Sequence, residues 1–95
     1  MQTDYPELMA TYEAFGDACR HAGPLDAKTS ALVKLAMSLA AGLEGGAHSH
    51  ARKALEAGCS ADELVHVALL CAPTLGFPAM MRAKGWVTDV IDKQP

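Results

Sequence analysis

The chemistry-bearing residues of this chain concentrate in one run, Glu44-Gly45-Gly46-Ala47-His48-Ser49-His50-Ala51-Arg52-Lys53. Read as a helix start, the run offers unpaired backbone N–H groups that favour an anion, and its glycines let a ligand approach the main chain. Gly45, Gly46 and Arg52, with Glu44 and His48 beside them, are therefore candidate binding residues for a small carboxylate; a solvated helix end is the plain alternative. His48 and His50 look like a chelating pair. At about 100° per residue, however, a helix points them roughly 160° apart, so one metal does not easily take both. With Ala47, Ala51 and Ala54 turned to the core, His50 lies on the border of that face, while His48 falls on the opposite flank near Arg52. His50 is the candidate acid or base, because a half-buried imidazole titrates near neutral pH and can move a proton. No metal site and no cofactor are expected.

The remaining polar residues carry weaker signals. Glu44 and His48 stand i,i+4 and read as a surface pair. Asp62 and His66 repeat that spacing and read as an ion pair at a helix start. His21 lies near a helix end, where a cation is favourable. Cys19, Cys59 and Cys71 form an odd, widely spaced set, so neither a disulfide framework nor a zinc knuckle is indicated. Cys59, between Gly58 and Ser60, is close enough to a helix N-terminus for its thiolate to be favoured. Cys19 and Cys71 read as small hydrophobes on apolar faces.

The elements that position these residues are helical; no segment alternates with the period of two that a strand needs. A first helix, about Tyr5 to His21, carries Leu8, Tyr12, Phe15 and Cys19 on one face and ends at Gly23 and Pro24. Asp26 is the N-cap of a second, running to about Ala41. Leu32, Leu35, Leu39 and Leu43 form one stripe on it and Val33, Met37 and Ala40 another, which predicts cover on more than one side. The third spans roughly Glu44 to Ala57 and stops at Gly58. Ser60-Ala61-Asp62-Glu63 has the form of a capping box opening a fourth. Its body, Val67 to Ala72, is apolar all round and is predicted to be central. Pro73, Gly76 and Pro78 break the chain before a last helix carrying Met80, Met81, Trp86, Val90 and Ile91, which with Phe77 reads as core, subunit contact or the wall of an apolar pocket.

Composition narrows the classes. Ninety-five residues make a single domain over 1–95, and 51% hydrophobic letters exclude a disordered chain. Eight basic residues against eleven acidic ones, net −3, leave no basic stripe, so no nucleic-acid partner is expected. No membrane partner is expected either, since no stretch approaches about 20 apolar residues and the start, Met1 to Glu7, lacks an export pattern. A cytoplasmic protein with reduced thiols follows as an expectation. A chain this short buries only about 60–65% of its unfolded surface, so its large apolar share predicts a homo-oligomer.

Three stretches carry a family resemblance: Leu25-Asp26-Ala27-Lys28-Thr29-Ser30-Ala31-Leu32, then His50-Ala51-Arg52-Lys53-Ala54-Leu55-Glu56-Ala57-Gly58, then Ser60-Ala61-Asp62-Glu63-Leu64 with Gly76-Phe77-Pro78-Ala79 following. From Leu25 to about Ala83 the sequence resembles the carboxymuconolactone decarboxylase family, which includes the alkylhydroperoxidase D-like proteins. The resemblance implies an all-α subunit, a small helical alkylhydroperoxidase D-like domain of about five helices, assembling into dimers, trimers or hexamers. In the family's peroxidase branch a Cys-x-x-Cys pair precedes a histidine, with a glutamate upstream. His50 matches that histidine, but the cysteine positions fall at Leu43 and Gly46 and the glutamate position at Ala31. A dithiol peroxidase needs one thiolate to attack the peroxide and a second thiol to resolve the sulfenic acid, and these residues supply neither. The sequence is thus more similar to the decarboxylase branch, which keeps the histidine without the cysteines.

Three functions follow as expectations. The first is acid/base chemistry on a small carboxylate or lactone, with His50 moving the proton and Gly45, Gly46 or Arg52 holding an oxygen. The second is the peroxiredoxin or alkylhydroperoxidase-type antioxidant activity that the family label carries. The third is a non-catalytic, oligomeric ligand-binding protein.

Overall fold

In a computed structural model of the chain, residues 4–94 are described and the fold is all-helical. Six helices follow in order: α1 Pro6–Arg20, α2 Ala27–Ala41, α3 Glu44–Glu56, α4 Ala61–Leu69, α5 Cys71–Leu75 and α6 Phe77–Ile91. They correspond to the five segments read from the sequence, with the fourth interrupted at Leu70 into α4 and the short α5.

Local chemistry sets most boundaries. The Asp26 carboxylate accepts from the Thr29 backbone N–H at 2.8 Å, satisfying one of the unpaired donors at the start of α2. Gly42 closes α2 in the left-handed region, at φ 72°, where a side chain is strained. The capping box of α4 forms in full: the Glu63 N–H donates to Ser60 Oγ at 3.0 Å, and the Ser60 N–H donates to Glu63 Oε1 at 2.7 Å. Gly76, at φ 108°, turns the chain from α5 into α6.

The core is the shared interior of α2, α3, α4 and α6, which pack on one another, with α5 lying against α6. Leu35, Leu39, Leu64 and Val87 are its largest fully buried side chains. Ala47, Ala51 and Ala54 of α3 are all buried, as the sequence predicts, and their small side chains let α2 lie close along α3. A two-residue connection, Gly42 and Leu43, makes the two helices an antiparallel pair. Ser38 therefore meets Gly46 at the turn, where a β-carbon on Gly46 would come within 3.4 Å of Ser38 Oγ. At the far end, the start of α2 faces the end of α3.

Three packing expectations are corrected. No residue of α1 is buried, and its stripe of Leu8, Tyr12, Phe15 and Cys19 faces outward. On α2 only the first stripe enters the core, with Leu35 and Leu39 buried and Leu32 partly so; Leu43, Val33, Met37 and Ala40 are exposed. The run Val67 to Ala72 is not covered all round: Ala68 and Cys71 are buried, while Leu69 and Leu70 are exposed. The chain has too few helices to cover both sides of these elements.

Candidate functional site

His50 lies midway along α3, one residue from the buried Ala51, and its ring is half-buried. It lines a groove of about 340 Å3 that opens to solvent, a volume at the lower end of small-molecule sites. Three helices build the groove. The first half of α2 contributes Ala27, Ala31 and Lys34, and α3 contributes His50, Lys53 and Glu56 with Ala57 behind them; α1 adds Arg20 from its last turn. The antiparallel register brings these residues together, because the first turns of α2 run beside the last turns of α3.

The electrostatics of the groove are cationic. Arg20 is paired with Asp17 one turn back on α1. Lys34 and Lys53 have no carboxylate partner among the described residues. The His50 imidazole is held below the ordinary histidine value, first by burial and then by the positive charges of Lys34 and Lys53. The ring is therefore neutral at pH 7 and able to accept a proton. Alanines form the apolar part of the wall, among them Ala31 at the position where the resemblance places a glutamate.

The other site residues expected from the sequence do not join His50 in this groove. Glu44 and Gly45 are exposed at the start of α3, at the opposite end of the helix pair, and Gly46 there presses against Ser38 rather than leaving room for a ligand. Arg52 is exposed and does not line the groove. His48 points to the other flank of α3, where its Nε2 lies 3.1 Å from Asp89 Oδ2 of α6, so its partner is Asp89 and not Glu44. Asp62 and His66 are exposed and form no salt bridge among the described residues. His21 behaves as expected of a helix end, its Nδ1 lying 2.8 Å from the Asp17 carbonyl oxygen, a contact in which the ring N–H donates.

The cysteines are corrected too. Cys19 is exposed, not on a packed face, whereas Cys59 and Cys71 are buried. Burial pushes the Cys59 thiol up, and Glu63 adds to that shift against the opposing effect of Lys28, so the expected thiolate is disfavoured. Burial likewise raises Cys71. Neither lines the groove. Among the described residues no three His, Cys, Asp or Glu side chains gather as a metal-ligand set, and no helix is long and apolar enough to cross a membrane.

Sequence reading missed Arg20 and Lys34, and it named Lys53 only as part of the polar run. Lys53 stands i,i+3 from His50, a relation visible in the sequence. Lys34 becomes a neighbour only through the register of α2 on α3, and Arg20 only through the position of α1.

The arrangement defines a small all-helical domain with a histidine-bearing, cationic groove beside an antiparallel helix pair. The sequence matches the profile of the Carboxymuconolactone decarboxylase family over residues 6–89, and the chain belongs to that family. The match takes in α1 and nearly all of α6, beyond the Leu25 to Ala83 span of the resemblance. No curated protein and no solved structure matches the chain.

Proposed function

We propose that the groove binds a small carboxylate or lactone acid and that His50 moves a proton to or from it, in a decarboxylase-like reaction. The observation that carries this reading is the meeting, in one groove, of a half-buried imidazole with Lys34 and Lys53, neither of which has a carboxylate partner among the described residues. Lys34 and Lys53 hold the ligand's anionic oxygen, and Arg20, itself paired with Asp17, lies beside them in the lining. In loss of CO2 the carbon–carboxylate bond breaks and its electron pair moves into the conjugated carbonyl of the substrate, whose oxygen the lysines stabilise. His50, having taken up a proton from solvent, then gives it to the carbon that has lost the carboxylate, and the imidazole returns to its neutral form. Glu44, Gly45, Gly46, His48 and Arg52, none of which lines the groove, have no part in this scheme.

The test is His50→Gln against lactone acids and β-keto acids. Turnover is expected to fall about 10²- to 10⁴-fold, the usual worth of a positioned acid or base, with the helical circular dichroism unchanged. Undiminished turnover would overturn the proposal. A thiol peroxidase has less support: its cysteine positions hold Leu43 and Gly46, and both buried thiols are pushed toward the neutral form. Peroxide reduction that disappears when the cysteines are alkylated would establish that alternative.

A further inference from the structure

Resting on the anion-binding reading above, we propose that the groove takes up its anion together with one proton, which passes from solvent to the His50 imidazole, so that the ligand converts a resting base into the acid. The charged groups that line the groove with His50 are Arg20 from α1, Lys34 from α2, and Lys53 and Glu56 from α3. Arg20 is paired with Asp17, and the charges that act on the imidazole are those of Lys34 and Lys53. In the empty groove those two ammonium groups oppose a third positive charge on the imidazole, and partial burial adds to the penalty. An anion seated between the lysines cancels their field and places a negative charge beside the ring, which reverses the sign of the effect.

Linkage makes the relation reciprocal: whatever factor the anion adds to the proton affinity of His50, the proton adds to the affinity for the anion. An opposite charge within about 4–6 Å shifts a titrating group by about one to three pKa units. A rise of about one unit on binding corresponds to about tenfold tighter binding of the anion at a pH where His50 is protonated than where it is neutral. The coupling resolves a conflict in the chemistry. Protonating carbon requires an acid, whereas burial and the two lysines hold His50 as a base.

The test is an NMR titration of the histidine ring signals against pH, without and with benzoate, which stays ionised across the range and has an apolar body for the alanine wall. The backbone amides of Lys34, His50 and Lys53 report binding independently. Benzoate is expected to shift those amides and raise the His50 titration midpoint by about one unit. In His50→Gln, benzoate affinity is expected to lose its pH dependence around neutrality. If the amides shift while the midpoint stays in place, the coupling is wrong and the anion-binding reading survives. Amides unmoved by benzoate at every pH would overturn both.

Discussion

At the scale of single residues, His50 acts through what surrounds it. Its neighbour two positions back, His48, has the same ring and a carboxylate partner, yet faces α6 and a different environment. The depressed proton affinity of His50 has a consequence for stability. Below the ordinary value of 6.5 the unfolded chain takes up a proton that the folded ring resists. The contribution of neutral His50 is therefore fully present above about pH 6.5 and is lost as pH falls through the lower folded value. Thermal melts across that window are expected to show the wild type losing stability on acidification more steeply than His50→Gln. Parallel curves would remove the environmental shift. Lys53→Met takes away one opposing charge, so it is expected to raise the His50 titration midpoint in the empty groove while weakening benzoate binding.

At the scale of elements, the groove depends on how α2 begins and how α2 turns into α3. Gly42 makes that turn at positive φ, and a β-carbon there would also lie 3.4 Å from the Arg82 guanidinium. Arg82, stacked over Trp86 within α6 at 5.1 Å, donates from Nη2 to the Leu39 carbonyl oxygen at 3.4 Å and so links the end of α2 to α6. Gly42→Ala is expected to cost about 1–2 kcal/mol in urea unfolding, the penalty of a left-handed non-glycine residue. Ser60→Ala removes the hydroxyl of the α4 capping box and is expected to cost about 1 kcal/mol by the same measurement. Because Ser60 does not line the groove, that variant is expected to leave benzoate affinity unchanged. A change in affinity would mean that the α4 cap is coupled to the site.

At the scale of the whole molecule, the apolar surface left uncovered is large. Tyr12 and Phe15 of α1 are 69% and 66% exposed, and Leu70, Phe77 and Met81 lie open around α5 and α6. A helix of about 15 residues with no buried side is marginal alone in water. We therefore expect the chain to form the homo-oligomer that its composition calls for, with α1 covered by another copy. Light scattering coupled to gel filtration is expected to give a multiple of 10.0 kDa for the wild type and a smaller species for Tyr12→Glu with Phe15→Glu. A monomeric wild type would contradict this expectation. Arg20 reaches the groove from the same helix, so loss of assembly is also expected to weaken benzoate binding.

The sequence alone determined the features that local chemistry governs. The Asp26 cap, the Ser60 and Glu63 capping box, the stop at Gly58 and the buried face of Ala47, Ala51 and Ala54 are each set within a few residues of chain, where propensity and hydrogen bonding decide the outcome. The separation of His48 from His50 follows likewise from the helical repeat. Tertiary structure decided which charges meet His50, because Lys34 and Arg20 lie 16 and 30 positions away along the chain. It also decided which apolar stripes are covered. A stripe in the sequence records that a face avoids water but not what covers it, and in one subunit the face of α1 and the second face of α2 have no neighbour to bury them.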